Sequence, residues 1–425
     1  MQRTLSAALT EQESQRTRIE GWVHRRRRLS SVTFLIIRDR TGLTQVVVTD
    51  TETRAEVDTL GEETVVRVEG VMTPNPKAPR GVEMTEPTIT RLSAVAATPP
   101  VALWRPNLEA SLPTLLDHAP VLWRHPAQQA VWRVAAASLR GFRRTLDDLA
   151  FTEIQTPKVV GGSTESGANV FEVDYFGETA YLAQSPQFYK QLMVGVFERV
   201  YETGPVFRAE PHDTVRHHAE YVSLDAELGF IHDHRDVLAV LREAIAGMVS
   251  AIAATPGTPE ELRLPEVPTE IPVIHFSEAL RLVGAPADEP DLAPEHERQL
   301  GEWSLREHGS DFLAVEGYPM AKRPFYTHPQ PGDERWSNSF DLLFRGLELV
   351  TGGQRLHEYA DYERALAAQG ESTEAYASYL QAFRHGMPPH GGFAIGLERW
   401  VARLLEVDNI RRTTLFPRDL HRLTP

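Results

Sequence analysis

The sequence predicts an α+β protein in two parts, a small β-barrel followed by a larger antiparallel sheet flanked by helices. Three observations predict it. Short β-branched runs fill the first hundred residues, and prolines then cluster over 94–126. Beyond them, strand-like runs come in groups with helical stretches between, rather than in alternating βαβ units. The 425 residues, 41% hydrophobic and 24% charged, suffice for two or three cores.

Five runs justify the barrel: RIEGWVH (18–24), VTFLIIR (32–38), TQVVVTD (44–50), TVVRVEGV (64–71) and EMTEPTITRL (83–92). Turn signals such as DRTG and NPKAPRG separate them. Such spacing suits a five-stranded OB-fold, whose face and loops bind oligonucleotides; an SH3-like barrel or an open sheet would show similar runs. Prolines 99, 100, 106, 113, 120 and 126 mark a linker or hinge. The expected division is 1–105 for the barrel, 106–125 for the hinge and 126–425 for the larger domain. In that domain 126–150 is helical, and FTEIQTPKVV is a strand ended by Pro157. Residues 170–230 give strand, helix and strands, 235–254 a helix, 271–283 a strand running into a helix, and 339–353 strands. GGFAIGLERWVARLLEV is a Gly-rich entry into a strong helix.

Charge and composition restrict the function. The net charge is −15, yet residues 1–105 carry 15 Lys and Arg against 13 Asp and Glu, while the remainder carries 29 against 46. The first domain can therefore face a polyanion although the whole chain is acidic. No run approaches the roughly 18 apolar residues of a membrane span. The first residues lack a signal peptide's apolar core, and there is no cysteine, so a cytoplasmic protein is expected.

No GxxxxGK[ST] or GxGxxG is present. FRAEPHDTVRHHAEYVSLDAELGF (207–230) concentrates Arg208, Glu210, Arg216 and His217 among further histidines and acids. Three readings compete: a solvated loop, a zinc site using His212, His217, His218 or His232 with Asp213, and an anion pocket. Zinc is disfavoured, because no cysteine helps and two arginines repel a cation. Arginines that fork onto phosphate oxygens favour the anion pocket. HGGFAIGLER (390–399) is either a tight packing loop or a second anion site at a helix start, with Arg399 just inside it. In FDLLFRGLELVTGGQR (340–355), Glu348 and Thr351 offer oxygens for Mg²⁺ shared with substrate phosphates.

Taken together these segments resemble the class II aspartyl-tRNA synthetases, in their compact archaeal-like form, over essentially the whole chain. The first motif of the class corresponds to helix 127–149 with FTEIQTPK, the second to FRAE…RHHAE…LDAE and the third to GFAIGLER. QSPQFYKQ and ELVTGGQR belong to the aspartate and asparagine branch. The resemblance implies an OB-fold anticodon-binding domain, a hinge, a six-stranded antiparallel catalytic domain and a homodimer. It also implies a protein that takes L-aspartate, ATP with Mg²⁺ and tRNA(Asp), with no zinc and no membrane.

The resemblance further assigns roles by matched position. Arg208 bridges the aspartate carboxylate and the α-phosphate, and Glu210 faces adenine. Arg216 and His217 reach the outer phosphates. Tyr221 stacks on adenine, and Arg399 covers its other side and touches the γ-phosphate. Gly396, Leu397 and Glu398 complete the ATP site, and Glu348 and Thr351 hold Mg²⁺. Glu165, Gln187, Asp225 and Thr351 join Arg208 around the amino acid, while Lys190 and Arg355 grip its side chain. In the barrel, Phe34 and Gln45 meet anticodon bases, with phosphate contacts from HRRRRLSS (24–31), although Arg25–Arg28 also suit a solvated turn. His24 after GWV and Pro76 in NPKAP resemble the relaxed form of the family, which also charges tRNA(Asn).

Three positions depart from the family pattern: Thr351 stands for a serine, Ala394 for the middle glycine of the third motif, and His218 lies in HHAE where the usual text is RHLxE. The chemistry needs no general base for activation, because cations suppress the repulsion between a carboxylate and the α-phosphate it attacks. Other readings are an asparaginyl enzyme, opposed by Lys190; a lysyl enzyme, opposed by QSPQ; a non-catalytic RNA binder, opposed by Arg208, Glu348 and Arg399; and a tRNA-independent amide synthetase, opposed by the barrel.

Overall fold

The structure, a computed structural model, describes residues 2–162, 169–211, 214–259 and 262–425. The chain divides into two compact units, Met1–Gln128 and Gln129–Pro425.

In the first unit β1 (Arg16–Arg28), β2 (Thr33–Asp39), β3 (Gly42–Val48), β4 (Val65–Pro74) and β5 (Val82–Ser93) close into a barrel in the order β1-β2-β3-β5-β4. Only the β3–β5 seam is parallel among its pairings. Alternation fills the interior: Leu35, Ile37, Val46, Val48, Val66, Val68 and Met84 are all buried. A bulge breaks the alternation in β1, where the register slips between Val23 and Arg25. The extra residue, His24, therefore turns inward beside buried Val23. Helix α1 (Thr51–Asp58), capped by the Asp50 side chain, links β3 to β4.

The proline-rich segment is folded. Helices α2 (Leu112–Asp117) and α3 (Ala119–Leu122) begin with Pro113 and Pro120 in their first turns, where a missing N–H costs nothing. Leu103, Leu115 and Leu122 form a small core of their own.

The second unit begins along α4 (Pro126–Asp148), followed by β6 (Thr152–Glu153), β7 (Val159–Val160), the hairpin β8 (Glu172–Tyr175) and β9 (Glu178–Leu182), and α5 (Gln187–Phe197). Strands β10 (Arg199–Phe207) and β11 (Glu220–Gly229) precede α6 (His234–Ala253), β12 (Val273–His275), α7 (Phe276–Val283), α8 (Pro294–His308) and β13 (Phe312–Glu316). A short hairpin, β14 (Pro329–Gln330) and β15 (Asp333–Ser337), leads to β16 (Ser339–Phe344) and β17 (Glu348–Arg355). The unit ends with α9 (Tyr359–Ala368), α10 (Ala377–Phe383), β18 (His390–Gly396) and α11 (Leu397–Leu404).

Among the described residues the main sheet has eight strands, ordered β12-β13-β16-β17-β18-β11-β10-β6. The six expected antiparallel strands form its centre, and the short β12 and β6 add one parallel pairing at each edge. HGGFAIG is thus a central strand rather than a loop. Its glycines answer to crowding from distant residues: a Cβ on Gly392 would lie 2.0 Å from Glu227 Oε2. One sheet face, with Leu224, Ala226, Phe340, Leu342, Val350, Phe393 and Ile395, packs on α4, α6 and α11 in the largest core. Phe142 and Leu146 of α4 lie inside this core, fully buried.

Candidate active site

The opposite sheet face carries the polar residues, because side chains alternate along each strand. Asp341, Thr351, Ala394, Asp225 and Glu202 face one another in a single register row across β16, β17, β18, β11 and β10. Small residues at 394 and 396 of β18 leave space above the centre of this row. The resulting cleft encloses about 910 Å³ including its open mouth.

Arg208, Glu210, Arg216, His217, Tyr221, Glu348, Thr351, Gly396, Glu398 and Arg399 all line the cleft, so residues up to 191 positions apart converge. The Arg208 guanidinium lies 5.6 Å from the Tyr221 ring centroid. A Cβ built on Gly396 would lie 3.7 Å from Arg399 Cβ and 3.9 Å from the Tyr221 ring, so glycine keeps the gap between them open. Arg399 Nη1 donates to the Glu348 carbonyl at 3.0 Å and lies 3.8 Å from its carboxylate. Thr351 Oγ1 donates to Glu348 Oε1 at 3.4 Å. Loss of hydration, with Asp341 and Glu297 nearby, pushes the Glu348 carboxyl up to about 7 against the pull of Arg399. Burial likewise raises Glu398 to about 7, and its carboxylate accepts from the Val222 amide at 3.1 Å.

A second cluster lies deeper on the same sheet face. Lys190 Nζ, 1% exposed, is 3.0 Å from Asp225 Oδ1, 3.3 Å from Glu227 Oε2 and 3.2 Å from the Phe393 carbonyl. Arg355 Nε donates to Glu227 Oε1 at 3.0 Å, and Nη2 to the Gly392 carbonyl at 3.1 Å. Burial would raise the Glu227 carboxyl, but Arg355 and Lys190 outweigh it and hold it below its ordinary value. Gln187, one turn before Lys190 on α5, is also buried. Ser223 connects the two regions, lining the cleft and donating to Asp225 Oδ2 at 2.5 Å.

Several expected residues stand elsewhere. Leu397 does not line the cleft; it is on the inner face of α11, in the hydrophobic core. His24 is not on the barrel surface: the bulge places its Nδ1 3.1 Å from Arg38 Nη1, and Arg38 forks onto Glu63 at 2.8 Å through both nitrogens. Burial and Arg38 lower its pKa to about 4. Phe34 and Gln45 do share the barrel's outer face, both half-buried, with Gln45 Nε2 donating to Glu83 at 2.7 Å. Pro76 is exposed. Glu165 lies outside the described residues. Glu227 was missed by sequence reasoning, although its i+2 spacing from Asp225 on a strand places both on one face. His218 is buried beside the cleft with neither ring nitrogen bonded among the described residues. Ala394 stands between Asp225 and Thr351 in the register row, and no described group of three or more His, Cys, Asp or Glu is arranged to hold a metal. No described helix is long and apolar enough to cross a membrane.

Comparison with known proteins matches this arrangement. The family described as "tRNA synthetases class II (D, K and N)" matches residues 112–420, and "OB-fold nucleic acid binding domain" matches 17–92. The chain is 44% identical over 432 residues to the Aspartate–tRNA(Asp/Asn) ligase of Thermus thermophilus, with both chains covered completely. It is 40% identical to the protein of that name in Methanopyrus kandleri, over 98% of this chain and 97% of the other. Among solved structures, the asparaginyl-tRNA synthetase from Pyrococcus horikoshii complexed with asparaginyl-adenylate superimposes with a TM-score of 0.92 at 31% identity, covering all of both chains. The aspartyl tRNA synthetase from Entamoeba histolytica gives 0.86 at 27% identity, covering 100% of this chain and 93% of the other. With a catalytic-family match over most of its length and relatives aligned end to end, the chain belongs to the class II tRNA synthetases of the D, K and N group.

Proposed function

We propose that the protein attaches L-aspartate to tRNA(Asp) and tRNA(Asn) in two steps, ATP-driven formation of an aspartyl-adenylate and transfer to the tRNA's terminal ribose. The observation that carries this reading is the Lys190–Arg355 cation pair, buried beside an arginine-lined cleft on the same sheet face. Two cations suit a side-chain carboxylate. An amide would turn its N–H₂ donor toward these donors, a mismatch that a carboxylate avoids. Asparaginyl enzymes share the fold, so this local chemistry, rather than the architecture, favours aspartate.

The residues then take these parts. Adenine stacks between Tyr221 and Arg399, in the gap that Gly396 keeps open, with Glu210 at its edge. Arg208 stands between the aspartate carboxylate and the α-phosphate, cancelling the repulsion of two anions. A carboxylate oxygen forms the new bond to phosphorus, the bond to the β-phosphate's bridging oxygen breaks, and its electron pair leaves with pyrophosphate. Arg216, His217 and Arg399 bind the outer phosphates. Asp225 and Gln187 take the α-ammonium group, with Glu165 above it and Thr351 nearby.

The donor set fits Mg²⁺ shared with phosphate. Glu348 and Thr351 offer two adjacent oxygens, 3.4 Å apart, at the mouth of the arginine-lined cleft. Bound Mg²⁺ would neutralise phosphate charge.

Charging of tRNA(Asn) is supported by the names of the full-length relatives and by exposed Pro76 in NPKAP, while Phe34 and Gln45 on the outer barrel face suit the anticodon bases that both tRNAs share. His24 would act through Arg38 rather than touch a base. A homodimer and a cytoplasmic location complete the proposal. The test is ATP–pyrophosphate exchange with each amino acid in turn. Exchange should depend on aspartate; asparagine supporting it as well or better would refute the reading.

A further inference from the structure

The groups assigned to ATP's outer phosphates stand on two elements, the loop 214–219 between β10 and β11 and the start of α11. One C-terminal segment, 410–419, fastens both. The Ile410 amide donates to the Val215 carbonyl at 3.0 Å and the Ala219 amide to the Arg418 carbonyl at 2.8 Å, so the segment is tied to the loop near both its ends. Thr413, on the same segment, donates its hydroxyl to the Glu398 carbonyl at 3.1 Å, beside Arg399.

Between these ties the buried Arg411 reaches the turn of the loop. Its Nη1 donates to the Thr214 carbonyl at 3.1 Å and its Nε to Asp419 Oδ2 at 2.5 Å. Asp419 is fixed in turn by the His421 and Arg422 amides, each 2.9 Å from its Oδ1. Thr214 passes the constraint on. Its hydroxyl shares a hydrogen bond with His217 Nδ1 at 2.6 Å and accepts from the Arg216 amide at 3.2 Å. The loop has neither helix nor strand of its own, so these bonds, rather than a ladder, fix where Arg216 and His217 stand.

We propose that Arg411 is a positioning residue for nucleotide binding: acting through Thr214, it holds Arg216 and His217 at the outer phosphates without touching substrate itself. Arg411 does not line the cleft. The inference rests on the ATP-binding reading of that cleft and deepens it with a residue outside the phosphate-binding groups. A loop deprived of this support must be ordered by the nucleotide, and the entropy lost is subtracted from affinity.

Calorimetric titration of the full chain with ATP and with AMP, both in Mg²⁺, tests it, because AMP lacks the phosphates that the loop binds. Arg411→Met should weaken ATP binding about tenfold and leave AMP binding unchanged, and Arg411→Lys should recover part of the loss. Thr214→Val, an exposed substitution that spares the buried Arg411–Asp419 pair, should give the same selective loss. In the exchange reaction the KM for ATP and for pyrophosphate should rise in these variants while that for aspartate stays unchanged. A role confined to stability would lower Tm with the ratio of ATP to AMP affinity held at the parent value, and that result in Arg411→Met and Thr214→Val would overturn the proposal. Should Arg411→Met fail to fold, Arg411→Lys and Thr214→Val decide on the same ratio. Binding needs no turnover, so the two readings separate. A parent that binds ATP but activates no amino acid would count against the proposed function alone; an active parent with unaffected variants would overturn the role of Arg411 alone. A parent that binds neither nucleotide would overturn both.

Discussion

Replacing Lys190 by methionine keeps the length of the side chain and removes one charge from a sealed cluster. In the parent, Lys190 pairs with both Asp225 and Glu227, and Arg355 pairs with Glu227, two acids against two cations. The variant leaves Glu227 to Arg355 alone and leaves Asp225 with Ser223 but no cation, its Oδ1 losing a partner at 3.0 Å. Breaking a buried pair in this way costs about 3–5 kcal/mol. Referred to aspartate, that is a fall of about two to four orders of magnitude in kcat/KM. Aspartate-dependent ATP–pyrophosphate exchange measures it, and ATP binding in the absence of aspartate should be unchanged, because Lys190 is outside the arginine-lined cleft. Glu227 supplies a second readout. Its folded pKa is depressed, so its contribution to stability is present above the unfolded value and lost as pH falls. Without Lys190 that depression shrinks, and acid unfolding should begin at higher pH. Unchanged aspartate kinetics together with unchanged ATP binding would remove Lys190 from the amino-acid pocket.

Glu348→Gln should raise the Mg²⁺ concentration needed for adenylate formation with the fold intact; coincident Mg²⁺ titrations of variant and parent would refute the assignment. Burial opposes ionisation of Glu316, yet His234 and Arg235 outweigh it and hold the carboxyl at about 2 against an ordinary 4.5. It should therefore contribute about 3 kcal/mol above pH 4.5, declining as pH falls toward 2, and Glu316→Gln should lose stability at pH 7 that converges with the parent in acid; parallel stability curves would refute it. Light scattering should give a dimer at micromolar concentration. Since Phe142 and Leu146 are sealed in the core, substituting the part-exposed Trp132 or Leu139 is the test of α4 at the interface, and a monomeric parent would end that proposal.

The barrel was legible because alternation is a local signal: Leu35 and Ile37 announce an inward face without knowledge of their partners. HGGFAIG was not, because its glycines answer to Glu227 and other residues remote in sequence, and glycine carries no strand signal of its own. Pro113 and Pro120 looked like linker because a proline that opens a short helix and a proline in an extended hinge carry the same local signal. The chemical residues of the cleft were legible as motifs, but the depth of Lys190 and its partnership with Glu227 came only from the fold. His24 was legible as a residue type and not as a position, since one inserted residue in β1 decides whether it faces solvent or Arg38.

The most direct test of the central claim is charging purified tRNA(Asp) and tRNA(Asn) transcripts with labelled aspartate and ATP. Aspartyl ester is predicted on both, at comparable kcat/KM. Absence of aspartyl transfer to either would contradict the claim outright. A loss of about a hundredfold or more for tRNA(Asn), roughly 2.7 kcal/mol, would contradict relaxed recognition.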